Sequence, residues 1–341
     1  MKRIYPIAIV LLLLASTVLV TVKPVMADSE GYIKISEPFN VDPASKGHNI
    51  PRGSVIRHLS DGTTEVSGSD NKLLFKAKES DSTLTSTPRG QASVMRVYQV
   101  PSGSRIMSEG NVTSVYEGES LILTVINPSN KITRQVPPPG TTGWIETARC
   151  GNQNITYYSA RWTVPVSPVN HGSNIDYIFN SLTSGRTIIQ PVLVWNYSLE
   201  GQWKCRAWVV RGQPGDPDYA EFKSSPINAS TSNNILGTMS YSASQWLVRI
   251  QNLSTGGSTQ LYTNYIGINN LQLDCALEGV NIYSNADVCG DITFTNLQYT
   301  YNGQPINTFW GGTVFSWPQL SGLGVSVGWF NPTSAVLYTA N

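Results

Sequence analysis

Two polar side chains stand where strand-like sequence calls for apolar ones, and together they could cleave an amide bond. The first is Gln190, in Thr187-Ile188-Ile189-Gln190-Pro191-Val192-Leu193-Val194-Trp195. Written with a period of two, Ile188, Gln190, Val192 and Val194 share one face, and Ile189, Pro191, Leu193 and Trp195 share the other. A glutamine amide ringed by apolar neighbours costs about 1–3 kcal/mol unless it finds partners. The second is Glu278, inside Leu271-Gln-Leu-Asp-Cys-Ala-Leu-Glu-Gly-Val-Asn-Ile282, on a face with Asp274, Ala276, Val280 and Ile282. A carboxyl buried there holds its proton to higher pH. Such an acid can serve as general base and then general acid, while an amide N–H donates to the oxygen on which charge develops. This chemistry needs neither metal nor cofactor. Asp274 is a candidate supporting acid, and Trp162, Trp195, Trp203 and Trp208 are candidates for lining a peptide groove.

Several other catalytic signatures are missing. The chain has no HExxH, Walker or dinucleotide motif, and only three histidines. His171, in Pro168-Val-Asn-His-Gly172, reads as a loop residue. The carboxylates of Gln213-Pro-Gly-Asp-Pro-Asp218 read as solvated turn acids.

The elements that must position the two residues are strands. From Trp144 onward short β patterns alternate with turn clusters, with no amphipathic helix, which predicts an all-β sandwich or barrel. Charged residues make up 13% of the 341 residues and net charge is +1, so no basic stripe supports nucleic-acid binding. Met1-Lys2-Arg3, an apolar run from Ile4 to Val22 and a small-residue site ending at Ala27 predict a signal peptide over residues 1–27, and hence a secreted, extracellular or cell-surface protein. Membrane association is expected only through an uncleaved anchor. Residues 28–135 form a β-rich region with an internal echo, Ile50-Pro-Arg-Gly-Ser-Val-Ile56 returning as Val100-Pro-Ser-Gly-Ser-Arg-Ile106. That region is expected to be an accessory domain or a propeptide that covers a site further on. A Pro-rich linker over 136–143 separates it from a domain at 144–341. Cys150, Cys205, Cys275 and Cys289, an even number in an exported chain, predict two disulfides of undetermined pairing.

Five stretches, in order, resemble the glutamic peptidases called eqolisins. They are Tyr158-Ser-Ala-Arg-Trp-Thr-Val-Pro165, Ile189-Gln-Pro-Val-Leu-Val-Trp195, Trp203-Lys-Cys-Arg-Ala-Trp208, Leu273-Asp-Cys-Ala-Leu-Glu278 and Gly290-Asp-Ile-Thr-Phe-Thr295. The resemblance covers roughly residues 144–341. It implies a concanavalin A-like sandwich of two antiparallel sheets and a monomer that hydrolyses protein or peptide in acid, with Gln190 and Glu278 as the catalytic dyad. Upstream of the glutamine, Asp176-Tyr-Ile-Phe-Asn180 lacks the family's tryptophan and carries Asn180 where the family has an aspartate. Asn180, Asp274, Trp162, Trp195 and Trp203 are the candidate substrate contacts. The alternative is a non-catalytic module of the same fold that binds glycan or peptide on its concave sheet.

Overall fold

A computed structural model describes residues 32–35, 49–81, 84–128, 142–197 and 200–341. The expected signal peptide and most of the expected linker lie outside these residues. The chain is a sandwich of two large β-sheets, of eleven and fourteen strands among the described residues, and the remaining regular structure described is one two-stranded hairpin and three short 3-10 turns. No described helix is long and apolar enough to cross a membrane.

The eleven-stranded sheet carries the candidate residues. Its central strands run side by side in the order Ala220–Ser224, Trp203–Arg211, Thr187–Trp195, Ile175–Ser184, Leu271–Val280 and Thr142–Gln153. These six form antiparallel pairs. Alternation along them makes two cores. Ile189, Leu193, Trp195, Trp203, Cys205, Ile178, Leu182, Cys275 and Leu277 face the second sheet and join the main core. Ile188, Val192, Val194, Tyr177, Phe179, Trp208, Val210, Ala276 and Val280 point the other way and make a second cluster on the outer face. With both faces covered, the Thr187–Trp195 strand is buried from Ile188 to Trp195.

The early part of the chain is built into both sheets. Val97–Val100 pairs in parallel with Ala220–Ser224 in the first sheet. Arg105–Glu109 pairs in parallel with Ser258–Thr263 in the second. The sequence echo is a structural one: the Ser54 and Ser104 hydroxyls donate to the carbonyls of Pro51 and Pro101, at 2.6 and 2.8 Å. Gly53 and Gly103 take the positive φ these turns require, 80° and 89°. Each turn leads into a hairpin, Ser54–His58 with Thr63–Ser67 and Arg105–Glu109 with Val112–Glu117. Arg96 fastens this region to the later chain. Its guanidinium donates to the carbonyls of Pro217 and Tyr219, at 2.9 and 3.1 Å, and to Glu79 at 2.8 Å.

The expected disulfides are absent: all four cysteines are free and buried. Cys205 and Cys275 lie on strands separated by two others, too far apart to bridge. Cys150 and Cys275 are on adjacent strands but offset, Cys150 pairing Leu273 and Cys275 pairing Ala148. That diagonal is about 7–8 Å, beyond the usual disulfide span. The thiols pack as small apolar groups.

Candidate active site

Gln190 and Glu278 are both on the outer face of the first sheet, each 0% exposed. Alternation puts them with the second cluster, since Gln190 lies between Ile188 and Val192 and Glu278 between Ala276 and Val280. Neither the amide atoms of Gln190 nor the carboxyl oxygens of Glu278 have a hydrogen-bond partner among the described residues. Two bare polar groups buried on one face of one sheet are costly.

The register does not bring the pair together. Phe179 pairs Val192 and Leu182 pairs Ile189, so Ser181 stands opposite Gln190 in a stretch where the ladder skips a pair beside Pro191, which has no N–H to donate. Ser181 in turn pairs Asp274, while Tyr177 pairs Glu278. The carboxyl in the row of Gln190 is therefore Asp274, and Glu278 lies four residues further along the same strand. On a flat sheet, two strand spacings and four residues of rise put the Gln190 and Glu278 Cα atoms about 16 Å apart, against about 10 Å for Gln190 and Asp274. Gln190 and Glu278 thus share a face and stand in separate rows of it.

Asp274 is also 0% exposed, and it is well partnered. Arg149 Nε donates to Oδ1 at 2.6 Å, Gln272 Nε2 to Oδ2 at 2.9 Å, and the Ser181 hydroxyl to Oδ2 at 3.4 Å. Burial raises its pKa and the Arg149 guanidinium pulls it back. Glu278 has no such pairing. Burial pushes its pKa well above the usual carboxylate range, the Arg89 charge pulls down, and Glu221 pushes up again. Glu278 therefore holds its proton to higher pH than an exposed glutamate, the direction a general acid needs.

The surroundings of the two residues are aromatic, and of these rings Trp208 is a candidate from the sequence, whereas Trp144, Tyr177, Tyr197 and Tyr219 are not. Trp144 and Tyr177 pair Glu278 from either side. Trp144 packs edge-on against Phe179, with the Arg149 guanidinium 5.2 Å from its ring centre. Trp208 pairs Gln190. The Trp208 indole N–H and the Tyr219 hydroxyl both donate to Glu221, the latter at 2.7 Å. Lys223 donates to the Tyr197 hydroxyl and lies 4.1 Å from the centre of that ring. Burial raises Glu221 to about 7, against the hydrogen bond from Tyr219 and the Lys223 charge. Burial also lowers Lys223 far below a free lysine, with the Arg206 charge pushing the same way.

The other candidate contacts lie elsewhere. Trp162, Trp195 and Trp203 are in the core between the sheets, 2–3% exposed, on the side away from Gln190. Trp195 stacks on Trp203 with centroids 5.3 Å apart. Asn180 also points between the sheets, because a Cβ placed on Gly237 of the second sheet would sit 2.2 Å from its Oδ1 and 2.7 Å from Pro191. Asp274 shares the outer face, as does Trp208. No cluster of three or more His, Cys, Asp or Glu side chains arranged to hold a metal occurs among the described residues.

The outer face is covered. A hairpin of Leu84–Thr87 and Gly90–Ser93 lies over it, with Thr85, Ser86 and Thr87 all at most 1% exposed and Ala92 in the same cluster as Tyr177, Phe179 and Trp208. Arg89, at the turn, is the cation whose field reaches Glu278.

No protein-family model matches the chain, and no curated protein matches it. Among solved structures, Scytalido-glutamic peptidase with a peptide-based transition state analog is similar at 13% identity and TM-score 0.42, over 59% of this chain and 100% of that one. SCP-B, a member of the eqolisin family, in complex with the tripeptide Ala-Ile-His, is similar at 14% and TM-score 0.40 over the same shares. The enzymatically active domain of bacteriophage CBA120 tailspike protein 2 is similar at 10% and TM-score 0.28, over 56% of this chain and 34% of that one. All three are distant structural resemblances.

Proposed function

We propose that the outer face of the eleven-stranded sheet is a peptide-cleaving site of the glutamic-peptidase kind, in an exported protein that works in acid. The observation that carries the reading is the pair of unpartnered buried groups, the Gln190 amide and the Glu278 carboxyl, on a face already covered by extended polypeptide. Gln190 supplies the N–H donor for the developing oxyanion. A protonated carboxylic acid on the same face supplies the proton for the leaving amine, and its conjugate base takes one from water. Glu278 has its pKa raised in the direction this needs, and Asp274 has the position, in the row of Gln190 across Ser181.

The test is digestion of unfolded casein at pH 3 to 5 by the natural chain and by Gln190→Ala, Glu278→Gln and Asp274→Asn, with folding checked by near-UV circular dichroism. Loss of about 100-fold or more in Gln190→Ala, and in at least one carboxyl variant, supports the proposal. Undiminished cleavage in Gln190→Ala overturns it.

The four-residue offset between Gln190 and Glu278 favours a second reading, peptide binding without cleavage. A natural chain that captures peptides and leaves casein intact at every pH in that range establishes the second reading.

A further inference from the structure

The hairpin over the outer face is held there in an unusual way. Among the described residues Leu84–Thr87 and Gly90–Ser93 pair only with each other, through Thr85 with Ala92 and Thr87 with Gly90, and neither strand joins the ladder of a large sheet there. Thr85 and Thr87, two residues apart, project to the same side. The Thr85 hydroxyl lies 3.4 Å from the Tyr197 hydroxyl, and the Thr87 hydroxyl lies 3.4 Å from the Tyr219 hydroxyl, both long hydrogen bonds. Because Tyr219 spends its own proton on Glu221, at 2.7 Å, its oxygen is left to accept. The single Thr87 proton is shared between that oxygen and Glu221, whose pKa it lowers. Tyr197 is held in the opposite sense: its oxygen accepts from Lys223, so toward the Thr85 hydroxyl it can act as donor. Two tyrosine hydroxyls, each oriented by a buried ionisable group, thus face two threonine hydroxyls at the spacing of an extended strand.

We propose that Thr85, Ser86 and Thr87 occupy the peptide slot of the site as an internal occupant. Tyr197 and Tyr219, the latter backed by Glu221, are then specificity-determining subsites that select Ser or Thr side chains two residues apart on an extended peptide. The proposal rests on reading the outer face as a peptide site. A valine at either position keeps the shape and removes a hydroxyl that meets a buried tyrosine hydroxyl, which costs about tenfold in affinity per hydroxyl. An incoming peptide must displace the hairpin, so the natural chain binds more weakly than one whose hairpin has lost its hydroxyls.

The experiment uses the full chain and two fluorescein-labelled hexapeptides, Leu-Thr-Ser-Thr-Pro-Arg and Leu-Val-Ser-Val-Pro-Arg. Binding is read by fluorescence polarisation, and cleavage of the same peptides by mass spectrometry. The expected results are three. The threonine peptide binds at least tenfold tighter than the valine peptide. The double variant Thr85→Val with Thr87→Val binds the threonine peptide at least tenfold tighter than the natural chain does. The double variant Tyr197→Phe with Tyr219→Phe binds the two peptides alike. Equal binding of the two peptides by the natural chain overturns the proposal, and this comparison holds even if a variant fails to fold. No gain in a folded Thr85→Val, Thr87→Val chain also overturns it. Selective binding without cleavage of peptide or casein leaves these subsites standing and removes the peptidase; cleavage of casein with no threonine preference does the reverse.

Discussion

At the scale of single residues, what sets the site apart is how differently its two carboxyls are kept. Glu278 is bare and burial raises its pKa, whereas Asp274 is held by Arg149 at 2.6 Å. The Arg149 side chain is 35% exposed, so water screens its half of the pair, while Asp274 is fully buried. Replacing Arg149 by Met therefore strands a buried carboxylate at neutral pH but costs little once Asp274 is protonated. Arg149→Met should lose about 1–3 kcal/mol at pH 7, discounted from a fully buried pair. The loss should shrink steadily toward pH 3, measured by urea unfolding at each pH. An equal loss at both pH values would mean that Arg149 acts through its packing on Trp144, 5.2 Å from the ring centre, and not through its charge.

At the scale of elements, alternation was the readable signal. Thr187–Trp195 is a strand, Gln190 lies with Ile188 and Val192, and the same alternation that turns Gln190 outward turns Trp195 into the main core, so that tryptophan's place was legible from its parity with Ile189 and Leu193. Register was not legible. Nothing local says that Ser181 pairs Asp274 rather than Glu278, because that depends on which strands become neighbours and on the length of the turns between them. Arg89, Tyr197 and Tyr219 escaped notice for the same reason, since only the folded chain brings the hairpin onto the outer face. One glycine now reads clearly. Gly237, in Asn234–Ser242 of the second sheet, leaves the gap into which Asn180 and Pro191 fit. Gly237→Ala should push on both strands that flank the Gln190 row and cost about 1–3 kcal/mol. The urea midpoint should fall while the slope stays unchanged. A stable variant with unaltered peptide binding would show that the two sheets can part locally at no cost.

At the scale of the whole molecule, the buried acids set the pH at which the fold is most stable. Asp176 is raised to about 8 by burial, against the Cys289 N–H that donates to it at 2.8 Å. Burial raises Glu146 to about 8 as well, against the Gly324 N–H, and Glu221 to about 7. In the unfolded chain these groups titrate near 4. Between pH about 4.5 and 7 the native state therefore binds more protons than the unfolded state, and each such acid removes about 1.4 kcal/mol of stability per pH unit of rise. His58 works in the opposite sense. Burial and then the Arg96 charge lower it to about 4, so its contribution is complete above pH 6.5 and is lost as the pH falls toward 4. Glu79, lowered to about 2 by His58 and Arg96 against its burial, loses its contribution only below about pH 4.5. Three raised acids outweigh one lowered histidine, so the melting temperature should rise as the pH falls from 8 to about 5, then turn down below about 4. Asp176→Asn keeps the oxygen that accepts from Cys289 and removes one of the three titrations, so its melting temperature should depend less steeply on pH between 5 and 8. A melting temperature that is flat, or that climbs from pH 5 to pH 8, would contradict the protonated state of these acids and with it the acid-stable character expected of a chain that works at low pH.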